Sequence, residues 1–294
     1  MKSKGWIIAL ITFLSGLAIA LVVLMIVLLN GGFKNLNFIM FASISKNVAV
    51  DEVYEENFRM IEIDADASEI EFYSTEEDKV RLVIHGEEKD ISVTTRGERL
   101  SITSNMQCNF ICFNQNRSKI EVYLPKDYEG KIKVENDYGN VTIGSFENAE
   151  IAVENDCGDI NVEAGNIVKL ENDLGDIELG FASNAEIKQN CGKIEVGEVG
   201  DIKAENDLGD IKIEKVTNSL QIKDDCGDIV IDDITITKNS SITNDLGKIK
   251  IGFTNDIYID AETDLGKVKI NENTRDASIT LKLQNSCGDI IVDN

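Results

Sequence analysis

From residue 127 to the end of the chain, apolar and polar positions alternate in short bursts, and the bursts recur. The string VENDYGNVTI at 134 returns as VENDCGDINV at 153, LENDLGDIEL at 170 and IKQNCGKIEV at 187. It continues as AENDLGDIKI at 204, IKDDCGDIVI at 222, ITNDLGKIKI at 242, AETDLGKVKI at 261 and LQNSCGDIIV at 283. The anchors are nine glycines: Gly139, Gly158, Gly175, Gly192, Gly209, Gly227, Gly247, Gly266 and Gly288. Ile or Val stands two positions after each glycine, as at Val141, Ile160, Ile211 and Ile290. Ile, Val or Leu stands four after it, as at Ile143, Leu179 and Val292. The residue between them is mostly polar. That period of two marks a strand with one buried face. Apolar pairs before the turn, such as Ile151/Val153 and Leu281/Leu283, mark a second strand. Each repeat reads as strand, turn, strand, bend.

No single copy is long enough to enclose a core, so the copies are expected to stack. Each strand then pairs with its equivalent one coil away, ~4.8 Å along the axis. This predicts an all-β, parallel β-solenoid, wound right-handed by the crossover rule, with nine regular coils over residues 127–294, roughly 45 Å long. Stacked in chain order, the final strand carrying Ile290 and Val292 is the open end. The glycines serve the tight turns, and the Asn row (Asn136, Asn155, Asn172, Asn206, Asn244, Asn285) suits an amide ladder along the stack. Residues 58–126 show the same strand grammar less regularly, in FRMIEID, SEIEFYS, KVRLVIHG and RLSITS, and are expected to form irregular first coils.

Ahead of the strands, residues 6–29 are apolar apart from Thr12, Ser15 and Gly16. About 24 residues of helix span roughly 36 Å, enough for a bilayer. The expectation is a transmembrane anchor at 6–29, a cytoplasmic tail at 1–5 and a juxtamembrane linker at 30–57. Lys2 and Lys4 precede the span and only Lys34 follows closely, so the positive-inside rule places the C-terminal domain outside the cell membrane.

Charge sharpens this picture. The chain carries −24. Residues 1–50 hold four lysines and no acid, which leaves −28 for residues 51–294. Such a body repels nucleic acid and attracts cationic peptides or basic surfaces. The acids fall in rows. Asp137, Asp156, Asp173, Asp207, Asp225, Asp245 and Asp264 stand two before the glycine; Asp159, Asp176, Asp210, Asp228 and Asp289 stand one after it, interrupted by Lys193, Lys248 and Lys267. Two readings follow: plain turn caps, or calcium held between coils by Asp156, Asp159, Asp173, Asp176, Asp207, Asp210, Asp225 and Asp228. No other cofactor is indicated. Catalysis is not expected. The coils are uniform, no long loop builds a groove, and His85 is the only histidine available as a base.

Cys157, Cys191, Cys226 and Cys287 share the position just before the glycine, where the order along the chain is Tyr138, Cys157, Leu174, Cys191, Leu208, Cys226, Leu246, Leu265, Cys287. Sequential cysteines are then at least two coils apart, beyond disulfide reach, and are expected to be buried free thiols. Cys108 and Cys112 form a separate CNFIC loop, a candidate disulfide.

The segments MIEIDADASEIEFYSTEEDKVRLVIHGEEKDISV and LSIT…SKIEVYLPKDY, with the repeated END-x-GDIxI, resemble the bacterial putative-adhesin β-strand-repeat family, a domain of unknown function common in Gram-positive bacteria. The resemblance covers residues 58–294. It implies a cell-surface solenoid with an adhesin-like role, and some anchored relatives belong to Lia-type envelope-stress systems. The expected function is non-enzymatic: an acidic surface module for adhesion or binding to a cell-wall or protein partner. The alternative is a stress-response component that binds cationic antimicrobials or a membrane sensor protein.

Overall fold

The computed structural model describes residues 43–105 and 117–293. The predicted anchor at 6–29 and the CNFIC loop lie outside them. Among the described residues no helix is long and apolar enough to cross a membrane.

The repeats form a parallel β-solenoid. Strand follows strand with only the glycine turn between: Val141–Cys157, Ile160–Leu174, Ile177–Cys191, Ile194–Leu208 and Ile211–Cys226. The expected break at each bend is absent over this stretch, because one continuous strand runs through it. Coils are named below by their turn glycine. After each glycine the register is strict: Ile160 pairs with Ile177, Ile177 with Ile194, Ile194 with Ile211 and Ile211 with Ile229, while the bend absorbs a shift near Gly165 and Val199. The inward rows predicted from period two are fully buried at Ile160, Ile194, Ile211, Ile213, Ile229 and Ile251. At about 1.5–3 kcal/mol for each such side chain, these rows supply the main force against chain entropy. A further inward row sits at the bend, where Phe146, Ala182, Val199, Val216 and Ile234 are also fully buried.

Each turn needs glycine for a steric reason. A Cβ on Gly192 would strike the carbonyl oxygen of Gly175, and one on Gly209 would strike that of Gly192. Gly192 also has φ +145°, disfavoured for other residues.

Coil order departs from chain order at both ends. The strand Thr280–Cys287 pairs on one side with Ser240–Leu246 and on the other with Tyr258–Leu265. Ile290–Val292 likewise lies between Ile249–Thr254 and Val268–Ile270. The last coil of the chain is therefore the penultimate coil of the stack, and the Gly266 coil is outermost. Ile290 and Val292, expected at an open end, are fully buried. The exposed end belongs instead to Leu265, 71 % exposed, and Val268, 42 % exposed. Its edge is partly closed by Asn273, whose side-chain amide donates to the Ile259 carbonyl and accepts from the Ile259 N–H, both at 2.9 Å.

The other end mirrors this. Met60–Ala65 is inserted between Arg99–Ser104 and Lys131–Tyr138. Antiparallel strands then cover the flank: Val80–His85 on Ser118–Pro125, Val48–Tyr54 on Val80–His85, and Ile91–Arg96 on Arg99–Ser104. Residues 48–54, expected within a linker, thus belong to the sheet. The segment is mostly apolar, VAVDEVY, yet as an edge strand it buries little of either face.

Candidate functional site: the turn edge

The glycine turns stack into one edge, and three layers of side chains build it. The innermost is the Asn row. Asn136, Asn155, Asn172, Asn206, Asn244 and Asn285 are all buried. Their amides aim mainly at glycine carbonyls: Asn155 Nδ2 donates to Gly158 O at 3.1 Å, Asn244 to Gly227 O at 2.9 Å and Asn285 to Gly247 O at 2.8 Å. Amide-to-amide steps also occur, from Asn136 to Asn155 at 3.0 Å and from Asn155 to Asn172 at 3.4 Å. Three coils depart from asparagine. Gln189 donates to Gly175 O, Thr263 donates to Gly288 O at 3.0 Å, and Asp224 places a carboxyl in the row. Burial pushes the Asp224 carboxyl up to about 7; Asn206 beside it pulls the other way, and Asp210, Asp225 and Asp207 add to the push.

The second layer is the acidic row after the glycine. Asp159 accepts from the Asp176 N–H at 2.9 Å, Asp176 from the Lys193 N–H at 2.8 Å, Asp210 from the Asp228 N–H at 2.9 Å and Asp228 from the Lys248 N–H at 2.8 Å. Each carboxylate caps the next coil, which is the turn-cap reading in geometric form. In the row before the glycine, Asp173 accepts from Asn190 at 2.7 Å and Asp225 from Lys223 at 2.8 Å, while Asp156 and Asp207 are exposed. Among the described residues no three His, Cys, Asp or Glu side chains converge as a group that could hold a metal ion.

The third layer is outermost. Cys157, Cys191, Cys226 and Cys287 are free and half-buried rather than buried. Between them Leu174, Leu208, Leu246 and Leu265 are 49 %, 52 %, 53 % and 71 % exposed. Coil order changes the meaning of this row. Cys287 pairs with Leu246 on one side and Leu265 on the other. Along the stack the row therefore reads Tyr138, Cys157, Leu174, Cys191, Leu208, Cys226, Leu246, Cys287, Leu265. The alternation broken in the chain is unbroken in space. Sequence reasoning missed the exposure of this row, although acids flanking an apolar residue on both sides were the available signal.

Away from the edge, His85 Nε2 lies 3.6 Å from Glu121 Oε2. Lys119 joins Glu121 at 2.9 Å to Glu71 at 2.8 Å, and Tyr73 stacks on Tyr123 with ring centroids 5.0 Å apart.

The fold and this edge define a repeat solenoid of one recognised class. The profile of the family Toastrack DUF4097 matches residues 58–293, and the chain belongs to that family. Solved structures are also similar to the chain, at low identity. A "putative adhesin" from Bacteroides fragilis is 15% identical with TM-score 0.39, covering 84% of this chain and 98% of that one. A "putative adhesin" from Parabacteroides distasonis is 8% identical with TM-score 0.45, covering 85% and 99%. Another from Parabacteroides merdae is 10% identical with TM-score 0.40, again covering 85% and 99%. No curated protein matches the chain.

Proposed function

We propose that this chain is a non-enzymatic binding module, held by residues 6–29 on the outer face of a cell membrane, whose acidic turn edge engages a basic surface on a cell wall or protein partner. One observation supports this above the rest: two rows of carboxylates run along a single edge, with Asp156, Asp173, Asp207, Asp159, Asp176 and Asp210 all exposed. The row before the glycine carries Asp and no cation, and the row after it stays net acidic although Lys193, Lys248 and Lys267 interrupt it; their summed field speeds encounter with a cationic partner and makes binding salt-sensitive.

The test uses the full-length chain in zwitterionic nanodiscs, bound to a poly-lysine surface. Asp156→Asn, Asp173→Asn and Asp207→Asn together should weaken binding at least fivefold and flatten its salt dependence. Unchanged binding would move the contact elsewhere. Protease added to intact protoplasts should remove residues 58–294; survival of that body until lysis would reverse the topology.

A further inference from the structure

The turn edge has an apolar crest between its two rows of charged side chains. Leucine on an exposed turn is easily replaced by a polar residue, yet every second coil from Gly175 to Gly266 presents one. The leucines stand as knobs, and the shorter, half-buried Cys191, Cys226 and Cys287 leave hollows between them.

The spacing selects a partner. Alternate coils repeat at ~9.6 Å, twice the strand separation. Successive heptads of an α-helix repeat at ~10.5 Å. From Leu174 to Leu265 the crest covers six coil steps, roughly 29 Å, against roughly 31 Å for 21 helical residues. An extended strand repeats same-face side chains at about 6.8 Å and does not match. A strand would also need free backbone groups, but N–H groups at the turns are already engaged: that of Gly192 donates to Leu208 O and that of Gly209 to Cys226 O. Charge narrows the choice further. The row before the glycine is acidic without a cation and the row after it is net acidic despite Lys193, Lys248 and Lys267, so the flanks together disfavour a second copy of the same edge and anionic lipid and attract lysine or arginine flanking an apolar face.

We propose that the crest is a docking rail for a cationic amphipathic α-helix of about 20 residues. Its apolar stripe seats on the leucine knobs and fills the cysteine hollows, and its basic flanks face the aspartate rows. This rests on the acidic-edge reading above and adds the shape of the partner.

The probe is a 21-residue peptide with leucine at heptad positions a and d and lysine elsewhere, beside a scrambled peptide of equal composition. Binding to the full-length chain in zwitterionic nanodiscs is followed by fluorescence anisotropy, with empty nanodiscs as blank, and peptide helicity by circular dichroism. The patterned peptide should bind at least tenfold tighter than the scrambled one and become helical on binding. Leu174→Ser, Leu208→Ser and Leu246→Ser together should weaken it at least tenfold with the salt slope unchanged. Cys191→Leu with Cys226→Leu adds apolar surface but fills the hollows. A knob-and-hollow fit predicts weaker binding for that pair, and this arm stands even if the serine variant fails to fold. Equal binding of the two peptides, or a gain from filling the hollows, would overturn the helix proposal. If the aspartate variants still weaken binding in that case, the acidic-edge reading survives; if they do not, both fail. Should the leucine variants abolish self-association in sedimentation and leave peptide binding intact, the occupant is a second copy and the proposal is wrong.

Discussion

The middle coils and the two ends use the same strand grammar with different consequences. From Gly158 to Gly227 each coil lies against its neighbours in the chain, so the repeat pattern alone places the inward rows. At the ends the chain turns back on itself: Thr280–Cys287 and Ile290–Val292 are inserted inside the Gly266 coil, and Met60–Ala65 and Ser68–Thr75 inside Arg99–Ser104 and Ser118–Pro125. The same apolar position is thereby fully buried at Ile211 and Ile290 but 42 % exposed at Val268. Each inserted strand thereby gains two strand partners. The outermost edge then falls on a coil continuous with the chain at both sides and lined with Asp260, Glu262, Asp264, Lys267 and Lys269, charges that discourage edge-to-edge pairing.

The comparison breaks most visibly under a buried charge. Ile211→Asp should destabilise by about 4 kcal/mol, while Val268→Asp, at the equivalent position of the outermost coil, should cost less than about 1 kcal/mol. Urea melts of both variants decide this, and equal losses would erase the distinction between middle and end.

Glycines should divide in the same way. Gly192→Ala drives a Cβ into the Gly175 carbonyl and should cost about 3 kcal/mol. Gly97 has positive φ but open space around it, so Gly97→Ala should cost only about 1 kcal/mol. Thermal melts of the pair measure the steric part directly.

Asp224 tests the amide row by pH. Its folded pKa of about 7 lies above the ordinary carboxylate value of 3.8, so the folded state holds a proton that the unfolded state has released. Stability from this group is complete below about pH 4, falls as pH rises toward 7 and is gone above it. Asp224→Asn should therefore raise stability by about 2 kcal/mol at pH 8 and by much less at pH 4. A pH-independent difference between the two chains would place the carboxyl outside the buried row.

The smallest effect is expected at the outer edge. Asn273→Ala removes the amide that closes the Ile259 backbone and should cost about 1 kcal/mol. Faster amide exchange at Ile259, with Ile222 unaffected, would locate the loss.

Much of this was legible in the residues. Period two placed the inward rows, and the glycine spacing placed the turns, because stacked strands repeat their environment coil by coil. Coil order was not legible, since every strand of the repeat can pair with any other and pattern alone does not rank neighbours. The one clue was the fault in the Cys–Leu alternation at Leu246–Leu265. The exposed crest was lost for a related reason: leucine and cysteine resemble core residues until the side of the turn they occupy is known. Residues 48–54 were lost because they lie outside the repeat: the apolar Val48, Val50 and Val53 carry no turn glycine to mark the strand.

The central claim is that the crest alternates without a break because the Gly288 coil lies between those of Gly247 and Gly266. Cross-linking tests it most directly. In a chain carrying Cys226→Ser and Leu246→Cys, the new thiol faces Cys287 one coil away, where Cα atoms ~4.8 Å apart permit a disulfide. Mild oxidation followed by peptide mass mapping should recover the 246–287 link in most molecules. Stacking in chain order would set the two positions two coils apart, ~9.6 Å, and absence of the link in a folded, oxidised sample would contradict the account.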